Sequence, residues 1–477
     1  MGERVWQLAA ALALSGGAQA GAPAQPAPAE RRADLLAAAA ASLGTARDRA
    51  AASRLEAEQS GTYYAVEQAR RAVSPFVAAG RAFRWRYDAG RLIRDARQVY
   101  PGGVTFHSRT ALGGEGGWIV DLIGWRTGSD LVPVVAADAL ATRLQWERFF
   151  PHLLVAQAEA AGAAATAGGS LRFRDAAGAE IELWLDAVTA RPLRAVQAAA
   201  GNTPRIEMEY GDYIRRHGVM MPVRVRLLIA GRVQEDLRLG ATRVSPLAVA
   251  ALAPPSSYSP PPAPGEAGAR EIAPGVLFFE NMPGDYHSLA VDAGDHMVLV
   301  EAPLSPAYAA AQRRILEAVR PGKAVRFVLV THHHGDHVGG LSAWAEAGAT
   351  IVVPAGARGA IERQLRARGF AGTARIEEVT GRRSFAGGRL DAHAFASSHA
   401  EAHLIAHLPA PRMLFQGDLF YLPARGGPPP AFPVVADLRD RIAALGLEVG
   451  SIAGVHGRIA TRAEYEESLR LGGLAVR

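Results

Sequence analysis

The chain has 477 residues, 49% of them hydrophobic and 21% charged, a balance that excludes disorder, a collagen-like repeat and a polytopic membrane protein. Its net charge of +6 is almost all arginine, Lys323 being the only lysine, and it is spread too thinly to form a nucleic-acid-binding stripe. With no cysteine, disulfides, thiol nucleophiles, iron–sulfur clusters and cysteine-ligated zinc are all ruled out, and any metal must rely on histidine and carboxylate.

Residues 1–20 combine Arg4, an apolar run from Trp6 to about Ser15 and the small-residue site Ala18-Gln19-Ala20, the pattern of a secretory signal, which predicts a periplasmic or secreted protein. The run is too short to span a bilayer, and no cysteine offers a lipid anchor. Residues 21–32 read as a Pro/Ala tether. A first domain is expected over 33–253. It opens with the Ala-rich stretch Ala33 to Val73, whose arginines and glutamates at helical spacing predict one or two helices. From Phe83 to about Leu247, segments such as Phe83 to Tyr87, Gly117 to Asp121, Leu171 to Arg174, Ile181 to Leu185 and Val223 to Ile229 alternate apolar with polar residues between Gly, Asp and Asn turns. That predicts an antiparallel sheet with one dry face.

Residues 254–269, with the run PPSSYSPPPAP, predict an extended, semi-rigid linker. In the second domain, 270–477, short uninterrupted apolar strands at Met297 to Val300, Val325 to Val330 and Thr350 to Val353 alternate with helical stretches at Ala307 to Val319, Leu341 to Ala347 and Ala355 to Arg368. Such strands are buried on both faces, so the fold class is α/β, with helices on each side of the sheet.

Eleven of the fourteen histidines follow the linker. The densest stretch, His332-His333-His334-Gly335-Asp336-His337, comes directly after a buried strand. At an extended strand end, side-chain alternation puts His332 and His334 on one side and His333 on the other, with Asp336 and His337 in the turn beside them. Further candidates stand where apolar strands give way to loops: His399 after Ser398, Asp418 in Met413-Leu-Phe-Gln-Gly-Asp, and His456 in Gly454-Val-His-Gly.

The pattern H-x-H-x-D-H at 332–337, followed by His399, Asp418 and His456, resembles the metallo-β-lactamase-fold hydrolases over residues 270–477. The resemblance implies an αββα sandwich with a two-metal site at one edge. His332, His334 and His399 would hold one ion, Asp336, His337 and His456 a second, and Asp418 would bridge them. The ligand set looks like that of the glyoxalase II and lactonase branch. Glu301 stands where the family usually has Asp and would support the ligands without touching an ion. His287 precedes a strand near the same edge, where it would shape the pocket or meet substrate. His333 is expected to pack or to support a ligand, and His403 and His407 to face the same way as His399 along a strand. Ser398, lacking an orienting acid in sequence, reads as no nucleophile.

In the first half, Asp186, Thr189 and Pro192, then Asp212-Tyr213, then Gly218 and Pro222 resemble the strand signatures of outer-membrane lipoprotein-carrier domains. This resemblance implies a mainly antiparallel β half-barrel with N-terminal helices and an apolar concave face, and hence an amphiphilic ligand or docking at an envelope surface. Nothing in that half suggests a catalytic residue, so residues 21–253 should be removable without loss of metal.

Two zinc ions, with iron or manganese as substitutes, would lower the pKa of a shared water toward ~7 and make a bridging hydroxide available as nucleophile. Asp336 would be the catalytic carboxylate assisting the leaving group. An ester, thioester, lactone or amide, β-lactams included, fits these parts, and the loops 281–288, 355–375 and 420–433 would choose among such small-molecule substrates. Two other readings share the histidines: an iron-dependent oxygenase of sulfur compounds, and a non-catalytic lipid-binding protein of the envelope. No oligomeric state follows from the sequence.

Overall fold

The computed structural model describes residues 35–65, 67–72, 74–200 and 204–474; the expected signal and tether fall outside the described residues. The chain opens with helices Leu35–Leu43 and Ala46–Ala52, the second capped by the Thr45 hydroxyl, which accepts from the Asp48 amide. Helical spacing then stops governing the fold. Arg54–Tyr64, inside the stretch read as helical, is a strand pairing antiparallel with both Val77–Asp88 and Arg232–Val244. Charges that look like the solvated face of a helix are cross-strand partners instead: Glu56 sits between Arg84 and Arg243. A Cβ at Gly61 would lie 1.9 Å from the Asp236 carbonyl oxygen, so only glycine lets these two strands approach.

These strands belong to a thirteen-stranded, wholly antiparallel sheet. It runs from the edge strand Leu131–Val134 back to Arg54–Tyr64, crosses to Arg232–Val244, and runs back again to Ala164–Ala165. The alternation from Phe83 onward therefore forms the expected sheet, with a correction: helices Ala136–Glu147 and Pro151–Ala160 interrupt it. Pro151–Ala160 escapes an amphipathic reading because Pro151 to Val155 are all buried. Trp85, fully buried, centres this core, with ring centroids of Trp146, Phe149 and Phe150 at 5.9, 5.4 and 5.8 Å. Its indole donates to Gln59 Oε1 at 3.0 Å.

The Pro-rich segment is extended but not free. Tyr258 donates to the Asp121 carbonyl, and Ser259 exchanges backbone hydrogen bonds with Ser129 and Leu131. Beyond it, a seven-stranded sheet runs from Gly268–Ala273 to Ile376–Val379 and is parallel from Met297–Val300 onward. A six-stranded sheet runs from Arg382–Phe385 to Ala460–Thr461. One core lies between them, joining Val298, Val300 and Ile351 to Ala392, Leu404, Ala406 and Phe415. Helices Pro306–Val319, Leu341–Glu346 and Arg358–Ala367 pack on the first sheet, and Val435–Leu445 and Arg462–Leu471 on the second. The result is helix, sheet, sheet, helix, and every residue of Met297–Val300 is buried, as an uninterrupted apolar strand should be. Among the described residues, no helix is long and apolar enough to cross a membrane.

The first half also holds a titratable group remote from the histidine cluster. His152 is 1% exposed and bonded through Nε2 to the Ala52 carbonyl at 3.1 Å; burial pushes its imidazole down to about 4. The unfolded chain takes up this proton near pH 6.5. Stability is therefore full above about pH 6.5 and lost as pH falls toward 4, by at most about 3 kcal/mol for this residue. Urea titrations should show a steeper loss between pH 6.5 and 4.5 for the native chain than for His152→Gln; equal slopes would contradict this assignment.

Candidate metal centre

The strand Val325–Leu329 delivers the chain to the H-x-H-x-D-H stretch, and His334 stands immediately before the short helix Gly335–Val338. Alternation places the rings as expected: His332 lies 4.4 Å from His334 and 4.1 Å from His337. The opposing wall is the turn after Met413–Gln416, where Asp418 adopts a left-handed backbone (φ 57°). It can come this close because the preceding residue is glycine: a Cβ on Gly417 would lie 2.2 Å from Thr331 Oγ1.

Seven side chains converge in two groups that share one carboxylate. His332, His334, His399 and Asp418 each offer a donor atom within 4.8 Å of the others, and so do Asp336, His337, Asp418 and His456. Asp418 Oδ2 lies 3.2 Å from His337 Nε2, 3.4 Å from His399 Nε2 and 3.8 Å from His332 Nε2, while Oδ1 lies 3.4 Å from His456 Nε2. Asp418 Oδ1, His332 Nε2 and His337 Nε2 are buried without a hydrogen-bond partner, which is costly unless an ion takes their lone pairs.

The outer nitrogens explain why. His332 Nδ1 meets Thr331 Oγ1 at 3.0 Å, His337 Nδ1 meets Glu301 Oε2 at 3.1 Å, His334 Nε2 meets the Ala69 carbonyl at 3.2 Å and His399 Nδ1 the Pro101 carbonyl at 3.2 Å. A carbonyl only accepts, so His334 and His399 carry their protons outward. Their inner nitrogens, His334 Nδ1 and His399 Nε2, then face each other at 3.1 Å. In the neutral rings these are two opposed lone pairs. A tetrahedral ion ~2.05 Å from each would separate them by ~3.3 Å, so a shared cation removes the conflict.

Electrostatics favour the same protonation states. Burial, reinforced by neighbouring imidazoles, holds His332 and His334 well below the usual histidine range, and burial with Arg126 takes His456 down to about 4. Burial alone would raise Asp418, but the facing His337, with His399 and His456, holds it well below the usual carboxylate range. Neutral imidazoles around an ionised carboxylate are the form a metal requires. His337 alone runs the other way: burial depresses it, and Asp418, Asp336 and Glu301 together raise it well above.

Glu301 is fully buried with φ 76°, and its second oxygen accepts from the Thr331 amide at 2.7 Å, so it ties His337 to the strand end. Asp336 accepts from Gln68 Nε2 at Oδ1 (2.7 Å) and from the Tyr286 hydroxyl at Oδ2 (2.9 Å). His287 is not drawn into the cluster; it bonds the Phe279 carbonyl at 3.0 Å and stacks on Phe278. His333 shares the Ala69 carbonyl with His334. His403 stacks on His332 at 4.9 Å, whereas His407 lies elsewhere, beside Asp391 and His393. Ser398 does have an acid partner, Asp437 at 2.6 Å, which anchors the loop carrying His399.

The first half corrects the expectation that it carries nothing of the site. Gln68, Ala69 and Pro101 reach three of the seven converging side chains, and Gly335 donates to the Glu67 carbonyl at 2.9 Å. Three of these four contacts are made by backbone carbonyls, which leave no mark in a sequence. Gln68 stands two residues before the dibasic Arg70-Arg71 without any motif around it.

Residues 281–450 match the model of the Metallo-beta-lactamase superfamily. The chain carries a metallo-β-lactamase superfamily domain. The match stops short of His456, which the fold nonetheless returns to the cluster. No curated protein matches the chain. Similar solved structures include the metallo-β-lactamase FIM-1 from Pseudomonas aeruginosa in its mono-zinc form (18% identity, 44% of this chain and 97% of that one, TM-score 0.35). Others are metallo-β-lactamases from Hirschia baltica (18%, 44% and 98%, TM-score 0.34) and Erythrobacter litoralis (20%, 44% and 97%, TM-score 0.35). At such scores they say nothing of substrate.

Because groups that orient ligands usually tune affinity 10–100-fold, Gln68→Leu should weaken binding at the Asp336 group by ~10-fold or more. Deleting residues 21–253 should cost metal at both groups, the reverse of the outcome expected from sequence. Zinc titration monitored by competition with a chromophoric chelator checks both, and full metal retention in a folded truncation would refute the coupling.

Proposed function

We propose that the chain is an exported dinuclear zinc hydrolase acting on an ester, thioester, lactone or amide, with β-lactams among the candidates. The observation that carries the reading is the opposed pair His334 Nδ1 and His399 Nε2 at 3.1 Å, each ring with its other nitrogen bonded to a carbonyl. A donor set of imidazole and carboxylate alone suits zinc, with iron and manganese as competitors. His332, His334, His399 and Asp418 would hold one ion, and Asp336, His337, Asp418 and His456 the other. Bound zinc would supply water activation near neutral pH and Lewis-acid polarisation of a carbonyl.

The remaining work falls to the chain's own groups. Asp336, fixed at both oxygens by Gln68 and Tyr286, is positioned to take a proton from the attacking water and deliver it to the leaving group. Tyr286 can keep donating, because burial and the nearby Asp336 hold its phenol well above the usual range. Tyr286 packs on His456 at 4.3 Å, and Tyr421, Trp125 and Phe432 extend an aromatic wall from it.

Elemental analysis of the mature chain, purified without a histidine tag, should find at least two zinc ions per chain, two of them for this centre. A panel of esters, thioesters, lactones and β-lactams should contain a substrate whose hydrolysis falls at least ~100-fold in Asp336→Asn and is abolished in Asp418→Ala. One tightly held iron would move the reading to oxidation of sulfur compounds. A folded, metal-free chain would move it to a binding protein.

A further inference from the structure

The strands Leu390–Phe395 and His403–Leu408 pair antiparallel with Asp391 opposite His407 and His393 opposite Ile405. Ala392, Leu404 and Ala406 face the core between the sheets, so Asp391, His393 and His407 point out of the other face, toward helix Val435–Leu445. There they offer three donor atoms within 4.8 Å of one another, in a cleft of about 450 Å³. All three are buried: 4% exposed for Asp391 and His393, 6% for His407.

Both ring nitrogens of His393 are buried with no hydrogen-bond partner. A neutral imidazole has one donor and one acceptor to satisfy, and leaving both unmet inside a protein is costly. The neighbours are already oriented as supports. His407 Nε2 is bonded to the Glu448 carbonyl at 3.1 Å, which directs its proton there and leaves Nδ1 as a lone pair. Arg382 donates to Asp391 Oδ2 at 2.9 Å and Ser384 donates to Oδ1, fixing the carboxylate while its remaining lone pairs stay available. Burial also holds the His393 imidazole below its ordinary range, toward the neutral form that coordinates.

We propose that Asp391, His393 and His407 form a further divalent-metal site, of the imidazole-rich kind that takes zinc, on the outer face of the second sheet. Its position, where the helix covers the sheet, gives it a structural role: it pins two strands together beneath Val435–Leu445, the helix whose Asp437 anchors the loop of His399. Arg382 and Arg441 also line the cleft, and they make a bound anion the competing occupant.

The site is separate from the proposed hydrolytic centre, so the two readings can fail independently. In zinc-loaded, tag-free full-length protein, His393→Asn and His407→Asn should each hold one zinc ion per chain fewer than the native chain, with the hydrolytic centre still occupied and active. Crystals of the native zinc-loaded chain should show an anomalous peak at the zinc edge among the three side chains, a readout independent of any variant's folding. Unchanged zinc content in both variants, or no such peak, would overturn the proposal. So would thermal protection of the native chain by inorganic phosphate that vanishes in Arg441→Met with zinc content unaffected, which would make the cleft an anion site.

Discussion

Asp418 is the single negative charge on which the two ligand groups converge, and much of the surrounding architecture serves to hold it, half-buried, among imidazoles. A carboxylate in such a place is tolerable only if paired and bonded. The chain meets that demand from every side. The turn at Gly417 brings Asp418 against the strand end at Thr331, His337 and His399 face one oxygen, and His456 faces the other. Backbone strain gathers in the same place: Glu301 and Asp418 both have left-handed φ values, a conformation that non-glycine residues hold only when their surroundings over-determine it.

The same demand joins the two halves of the chain. An imidazole that is to present one nitrogen inward needs its other nitrogen tied, or the ring can rotate and the tautomer can change. His332 and His337 find their partners within the second half, in Thr331 and Glu301, but His334 and His399 find theirs in Ala69 and Pro101. The interface is fitted closely enough that a Cβ on Gly335 would lie 2.2 Å from Glu67 Oε2. An apolar cluster seals it further out, where Val104 and Trp125 of the first half pack with Tyr421 and Val434 of the second.

What could be read in the sequence follows from this division. The sandwich, the strand that carries His332 and His334 to one side, and the convergence of the seven side chains all rest on side-chain identity at short spacing, which a sequence displays directly. The supports do not. Ala69 and Pro101 act through carbonyl oxygens, and any residue has one of those. Arg54–Tyr64 was hidden for a related reason: Glu56 and its neighbours have the charge spacing of a helix surface, and only the distant strand Arg232–Val244, with Arg243, turns that pattern into a ladder. The helix Pro151–Ala160 was hidden because its first five residues are all buried, so its opening turn shows no polar face to mark the period.

In the proposed hydrolase, the coupling also changes where selectivity would reside. The loops 281–288, 355–375 and 420–433 are the natural determinants of substrate in a domain read by itself, yet each is bound to the first half. Tyr286 lies under the Arg126 guanidinium, Arg363 donates to the Ala72 carbonyl, Arg368 pairs with Glu67, and Tyr421 donates to the Arg126 carbonyl. A loop anchored in this way loses freedom before substrate arrives, and pre-organisation of that kind lowers the cost of binding the molecules that fit while excluding those that need the loop to move. The loops of the first half that make these contacts are therefore a wall of the site as well as neighbours to it, and in the proposed hydrolase changes along 67–72 or 100–130 should alter which substrates are accepted without touching a single ligand.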